Sequence, residues 1–310
     1  STISILDGGM GRQLKAMGAP FEQPEWSALA LMEAPEFVSK AHAQFIDAGA
    51  NIITTNNYAV VPFHIGDDRF ATRATELIEL SANLAREQAD AKGAQVAGSL
   101  PPLYGSYRPD LFQANGALDM YKTIVAGLAG KVDFWLAETI SSLEEAAAIR
   151  LALEGQTEPL WVSFTLGEDL IMEQRVEQGV EQGVEGRAVL RSEESIRDML
   201  EAMTASAGKA VDGVLFNCSQ PEIITLALAE LNDVRTAKGL QLVSGGYGNA
   251  FTPRGKKASA NSDIALMRDE ITPEHYADIA GEWIAAGATV IGGCCGIGPE
   301  HIAQLSTRYS

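Results

Sequence analysis

The stretches Gly213-Val214-Leu215-Phe216-Asn217-Cys218 and Thr289-Val290-Ile291-Gly292-Gly293-Cys294-Cys295 share one pattern. Each is a short apolar run with little polar alternation, and each ends on a thiol. A strand covered on both faces reads this way, whereas a half-exposed strand alternates. Six further runs have the same character: Ile3–Asp7, Asn51–Thr55, Gln95–Leu100, Asp133–Thr139, Leu160–Leu166 and Leu240–Gly245. Helical patterns separate them: Pro35 to Asp47, Ala71–Ala91, Ala117–Ala129, Ser142–Leu153, Glu193–Ser206, Pro221–Arg235, Pro273–Ala286 and Pro299–Leu305. Proline at helix starts and glycine just past helix ends recur, as the backbone requirements of the two termini dictate. Strand and helix alternating in this way over 310 residues predict an α/β fold, a single (β/α)8 barrel over residues 1–310. An open, doubly wound sheet is the alternative, and it calls for a G-x-G-x-x-G turn after an early strand. Asp7-Gly8-Gly9-Met10-Gly11 lacks that spacing.

Composition narrows the function. Hydrophobic residues make up 46% of the chain and charged residues 21%, which excludes disorder for its bulk. With 23 Lys and Arg against 41 Asp and Glu, the net charge is −18. Nucleic acid and anionic membranes both need a basic footprint, so neither is expected as a partner. A small neutral or cationic ligand fits better. No run is long and apolar enough for a membrane span, and the N-terminus has no signal-peptide pattern, so a cytoplasmic location is expected.

One segment breaks the alternation. Val176-Glu177-Gln178-Gly179, Val180-Glu181-Gln182-Gly183 and Val184-Glu185-Gly186 form a tandem four-residue repeat. Glycine at every fourth position costs a helix about 1 kcal/mol each, and a period of four matches no strand face. The repeat reads as an inserted loop near residues 172–188, a mobile insert without chemistry or, alternatively, a lid over substrate.

Three cysteines, an odd number in a large chain, argue against a disulfide framework. Cys218, Cys294 and Cys295 instead close the sixth and eighth runs. Reactive residues at the C-terminal ends of barrel strands lie on the face where barrel enzymes work. Three thiols there suit a metal with an open fourth position, zinc foremost, and Gly292, Gly293 and Gly296 would let the backbone turn so that both adjacent cysteines reach it. Buried packing thiols and a redox dithiol are the other readings.

The Asp7-Gly8-Gly9-Met10-Gly11, Asn217-Cys218 and Gly292-Gly293-Cys294-Cys295-Gly296 motifs, in that order across nearly the whole chain, resemble the zinc-dependent homocysteine S-methyltransferases. That family includes S-methylmethionine– and betaine–homocysteine methyltransferases and the homocysteine module of cobalamin-dependent methionine synthase. The resemblance implies a (β/α)8 barrel with Zn2+ held by Cys218, Cys294 and Cys295, homocysteine sulfur taking the open position. It implies that Asp7 and Glu138 bind the homocysteine amino group and that the backbone at Gly8 and Gly9 receives its carboxylate. Thr139 and Asn217 complete the implied substrate set. Tyr58 matches a tyrosine that can occupy the metal when substrate is absent. The implied reaction moves a methyl group from a sulfonium or ammonium donor, S-methylmethionine foremost, to the homocysteine thiol, giving methionine. The chain stops soon after its last helix, without the oligomerisation segments of the larger betaine enzymes, so a monomer is expected.

Chemistry supports the same reading. A thiol with a pKa of about 8.5 is mostly protonated at neutral pH, and zinc deprotonates it. The donor leaves as a neutral molecule, so no general acid is needed, and no catalytic residue is expected beyond the metal centre. A non-catalytic zinc-thiolate protein and the homocysteine module of a corrinoid enzyme are the alternatives. A glycosidase pairing of Asp7 with Glu138 leaves the cysteines unexplained. His42, His64, His275 and His301 show no ligand spacing; His42 and His275 read as packing or surface residues, His64 as a residue that could face the donor, and His301 as a support for the last loop. Tyr104 and Tyr107 offer faces that suit a sulfonium or ammonium cation, or else pack their loop.

Overall fold

The computed structural model describes residues 2–171, 173, 184–255 and 266–310. Eight parallel strands, β1 (Ser4–Ile5), β2 (Ile52–Thr54), β3 (Gln95–Leu100), β4 (Phe134–Ile140), β5 (Leu160–Phe164), β6 (Gly213–Asn217), β7 (Val243–Gly248) and β8 (Val290–Gly293), pair in the order β1-β8-β7-β6-β5-β4-β3-β2. The ring is closed through β1. Ser4 and Ile5 pair with Val290 and Ile291 on one side, and a Leu6–Ile52 bridge joins the other. There the Asn51 N–H donates to the Ile5 carbonyl (2.9 Å) and the Asp7 N–H to the Ile52 carbonyl (3.0 Å). The expected (β/α)8 barrel is therefore present.

The helices are α1 (Met10–Ala16), α2 (Ser27–Glu33), α3 (Pro35–Ala48), α4 (Pro62–Ile65), α5 (Asp67–Lys92), α6 (Ala114–Leu128), α7 (Leu143–Ala152), α8 (Ile196–Thr204), α9 (Pro221–Ala237), α10 (Pro273–Ala285) and α11 (Pro299–Tyr309). Proline opens α3, α9, α10 and α11, where its missing N–H has no helical partner to lose. Gly49 and Gly93 close α3 and α5 in the left-handed conformation. α1, α2 and α4 lie outside the sequence patterns; they are single or double turns, too short to show a helical period.

Burial explains why the strands do not alternate. All seven residues of β4 are buried. One face looks into the barrel, where Leu6, Ile52, Ala97, Phe134, Leu136, Leu215, Tyr247 and Val290 form the inner core. The other packs under the helices in a single outer core that includes Trp135, Phe164, Phe216 and Trp283.

β7 begins and ends three residues later than the Leu240–Gly245 run predicts. Its glycines, which read as a strand end, are the strand itself. A Cβ on Gly245 would lie 2.3 Å from the Val290 carbonyl oxygen, and one on Gly246 would press on Ile224 and Trp283. Close approach of neighbouring backbone and helix, rather than a turn, demands glycine here. At the end of β5 the Gly167 N–H donates to the Val189 carbonyl (3.0 Å) and Leu166 bridges Leu190. The repeat itself, apart from its last residues, lies outside the described residues. Among the described residues no helix is long and apolar enough to cross a membrane.

Gly245→Ala is expected to destabilise the barrel by about 1–3 kcal/mol, since the added methyl meets backbone that cannot rotate away. Thermal unfolding should show a Tm lowered by a few degrees with the far-ultraviolet spectrum retained.

Candidate metal centre and substrate site

Cys218 follows β6 and Cys294 follows β8, the two strands that flank β7. The Cys218 N–H donates to the Tyr247 carbonyl (3.2 Å) and the Cys294 N–H to the Gly248 carbonyl (2.9 Å), so both cysteines are hung from the end of β7. The sulfur atoms of Cys218, Cys294 and Cys295 all lie within 4.8 Å of one another. Convergence of the three thiols on one rim, expected from sequence, is therefore realised. One expectation is corrected. Cys218 and Cys294 are joined as a disulfide with Cα atoms 5.5 Å apart, and Cys295 is free. The odd cysteine count excluded a framework of disulfides, but it carried no information about strand ends meeting across β7. A dithiol form is required before these two sulfurs can serve as metal ligands.

The backbone at this rim is strained and braced. Thr139 and Cys218 adopt positive φ (57° and 48°), a conformation costly for any residue with a side chain and especially for a β-branched one. Asn217 holds both places. Its Oδ1 accepts from the Thr139 N–H (2.9 Å) and from the Ser163 hydroxyl (2.8 Å), and its Nδ2 donates to Thr139 Oγ1 (2.9 Å). Asn217 is fully buried, so this amide ties the ends of β4, β5 and β6 together directly beneath Cys218. The register between β4 and β5 shifts between Ala137 and Ile140. Such an irregularity re-aims a side chain, here that of Glu138.

Glu138 and Asp7 are both buried. Glu138 Oε2 accepts from the Ser99 hydroxyl at 2.6 Å. Asp7 Oδ2 accepts from the Thr54 N–H at 2.9 Å. Burial pushes the Asp7 carboxyl up to about 8; the Thr54 N–H opposes the rise and the neighbouring Glu138 adds to it. Burial likewise pushes Glu138 up to about 7 against the pull of its Ser99 hydrogen bond. Burial with few donors of their own makes both carboxyl groups favour the neutral form. Gly8 and Gly9 let β1 approach the cysteine loop: a Cβ on Gly9 would lie 2.6 Å from the Cys294 carbonyl oxygen, and one on Gly8 would lie 2.2 Å from that of Ile297. The Gly9 N–H donates to the Ile297 carbonyl (2.9 Å).

Tyr58 hydrogen-bonds Ser106 Oγ through its hydroxyl (2.5 Å). His42 is a packing residue, fully buried, with its pKa pushed down to about 4 by burial. His64 is buried too, with Nδ1 2.9 Å from the Pro24 carbonyl, so its ring faces the loop before α2. His301 supports the last loop as expected, its Nε2 2.9 Å from the Ile271 carbonyl. Sequence reasoning missed Ser99 and Thr54, which orient the two carboxylates, and Ser163, which braces Asn217. Small hydroxyl residues inside apolar runs were the only signal.

A closed barrel that gathers thiols able to hold a metal beside buried carboxylates has the makings of a metal-thiolate enzyme. The model of the homocysteine S-methyltransferase family matches residues 4–309, and the chain belongs to that family. It is 28% identical to maize Homocysteine S-methyltransferase 1, over 98% of this chain and 93% of that one. It is 29% identical to the Homocysteine S-methyltransferase of Escherichia coli K12, over 99% and 95%. The crystal structure of the E. coli homocysteine methyltransferase MmuM in its metallated form superposes with a TM-score of 0.75 at 26% identity, covering 99% of this chain and 96% of that one.

Glu138→Gln is expected to raise stability while impairing the site. Glu138 has an ordinary pKa of 4.5 when unfolded and about 7 when folded, so ionisation favours the unfolded chain as pH rises between those values. The gain in Tm of the variant over the native chain should be absent near pH 4, grow through that window and level off above pH 7, a trend that thermal scans across pH would record.

Proposed function

We propose that this chain transfers a methyl group from S-methylmethionine to the thiol of L-homocysteine, giving methionine, with zinc held by Cys218, Cys294 and Cys295. The observation that carries the reading is the three sulfur atoms within 4.8 Å of one another on the rim that also bears Asp7 and Glu138. The donor set fits the metal, since zinc favours cysteine thiolates as ligands and Cys218, Cys294 and Cys295 would hold it. Bound zinc supplies thiol activation, holding a ligand sulfur as thiolate at neutral pH.

The chain's own residues supply position. Asp7 and Glu138 receive the homocysteine ammonium, which compensates the burial of both carboxylates. Thr54 and Ser99 fix the two carboxyl groups, and the backbone at Gly8 and Gly9 receives the substrate carboxylate. Asn217 and Thr139 shape the floor on which Cys218 stands. Tyr58, whose hydroxyl pairs with Ser106, would be a further ligand to the metal before homocysteine arrives. In the transfer, the donor S–CH3 bond breaks and its electron pair stays on the departing thioether, while the new S–CH3 bond forms on homocysteine. The homocysteine thiol proton goes to solvent when the thiol binds. The leaving group is neutral, so positioning and thiolate activation suffice. The family match over residues 4–309 supports homocysteine as the methyl acceptor, and the donor panel below separates S-methylmethionine from the other sulfonium and ammonium donors.

Reduced protein purified without chelator is expected to carry about one zinc per chain, and Cys218→Ser or Cys295→Ser should lose it together with activity. A donor panel with homocysteine should give methionine fastest from S-methylmethionine; reduced, zinc-loaded protein inactive with every donor would overturn the proposal. Binding of a thiol-free analogue, L-norleucine, reports on the carboxylates alone. Because Asp7 (about 8) and Glu138 (about 7) are partly protonated at pH 7, the incoming ammonium should release protons and bind more tightly as pH rises from 6 to about 8. Calorimetry in buffers of differing ionisation enthalpy measures that release.

A further inference from the structure

The segment after β7 folds over Cys295. Asn249 Oδ1 accepts from the Cys295 N–H (3.2 Å), and the Ala250 N–H donates to the Cys295 carbonyl (2.9 Å). Four residues on, the backbone of Arg254 is clamped on both sides. Its N–H donates to Glu168 Oε2 (2.6 Å), and its carbonyl accepts from Arg191 Nη1 (3.2 Å). Arg191 also donates to the carbonyls of Tyr107 and Gly255, so its guanidinium is committed to holding backbone. The other oxygen of Glu168 accepts from the Gln220 N–H (3.0 Å), two residues from Cys218. Glu168 and Arg191 thus frame the Arg254 backbone, and the Arg254 guanidinium carbon lies 5.1 Å from the centre of the Tyr107 ring, with the Glu168 carboxylate and the Arg191 guanidinium as its charged neighbours. A half-buried guanidinium fixed at the metal rim stands out in a chain of net charge −18.

Guanidinium presents a planar fork that matches a carboxylate. The donors that suit the reaction, S-methylmethionine above all, carry a carboxylate as well as the methyl-bearing cation. Arg12 follows Gly8 and Gly9 on α1, and its guanidinium carbon lies 5.3 Å from the centre of the Phe251 ring on the same β7 loop. Arg254 comes from the opposite end of the chain, on the loop of β7. We propose that Arg254, stacked on Tyr107, is the receptor for the carboxylate of the methyl donor and so selects carboxylate-bearing sulfonium compounds. This inference rests on the methyl-transfer reading above.

The test is a calorimetric titration of reduced, zinc-loaded protein, its acceptor site filled with L-norleucine, with two probes: S-methylmethionine and its methyl ester. The native protein should bind the ester about 10- to 100-fold more weakly, the range expected for loss of a charge-assisted hydrogen bond. Arg254→Gln should bind S-methylmethionine that much more weakly and no longer distinguish the two probes, while Arg254→Lys should recover part of the difference. In steady-state assays the change should fall on KM for S-methylmethionine, with kcat little altered. Retained discrimination in Arg254→Gln, equal weakening of both probes, or no binding of either probe to the native protein would each overturn the inference. Native protein that discriminates through Arg254 yet fails to methylate homocysteine would sink the reading of function and keep only the carboxylate-binding role of Arg254.

Discussion

Closure of the barrel through a two-residue strand is the constraint on which the site depends. β1 is inserted between β8 and β2, and the chain then runs straight into Asp7-Gly8-Gly9. The Gly293 N–H donates to the Asp7 carbonyl (3.1 Å) and the Gly9 N–H to that of Ile297. These two bonds bring the backbone of Asp7-Gly8-Gly9 against the cysteine loop at the far end of the chain. Without side chains on Gly8 and Gly9 the approach is possible; with them, the Ile297 and Cys294 carbonyls would have to move.

Unfavourable burial and backbone strain are concentrated at the C-terminal rim. Asp7 and Glu138 are held where water is excluded, with one good hydrogen bond each, and both pKa values rise in consequence. Thr139 and Cys218 are held at positive φ. Each feature costs stability, and each sits on the C-terminal rim. The compensation comes from the Asn217 amide, whose three hydrogen bonds join β4, β5 and β6, and from the double core that surrounds every strand. Strain and desolvation concentrated at one end of a well-packed barrel are what a preorganised binding site requires.

The loop frame on the same rim follows a similar logic. Glu168 and Arg191 are charged residues whose hydrogen bonds go to backbone groups of three different loops. A loop carries few apolar contacts of its own, so charge-assisted bonds to its carbonyls and N–H groups give it a fixed course. The consequence is that β3, β5, β6 and β7 loops meet around Cys295 as one assembly rather than as independent segments.

Much of this was legible in the chain itself. Apolar runs of strand length separated by helical periods dictate a parallel sheet covered on both faces, because only such burial tolerates strands without polar alternation. The positions of Cys218, Cys294 and Cys295 at run ends placed the thiols on one rim, since all strands of the barrel point the same way. Asp7 and Glu138 were visible for the same reason. What tertiary structure alone decided were relations between strands that no local pattern encodes. The glycines of β7 are strand rather than turn because Val290 and Trp283 crowd them. Asn217 is a brace because its amide reaches Thr139 and Ser163 on neighbouring strands. Cys218 pairs with Cys294 rather than with packing neighbours because β6 and β8 end across β7 from each other. Sequence fixes periodicity and chain order, which depend on nearest neighbours along the backbone; register and close approach depend on which strands lie side by side, and closure of the ring sets that.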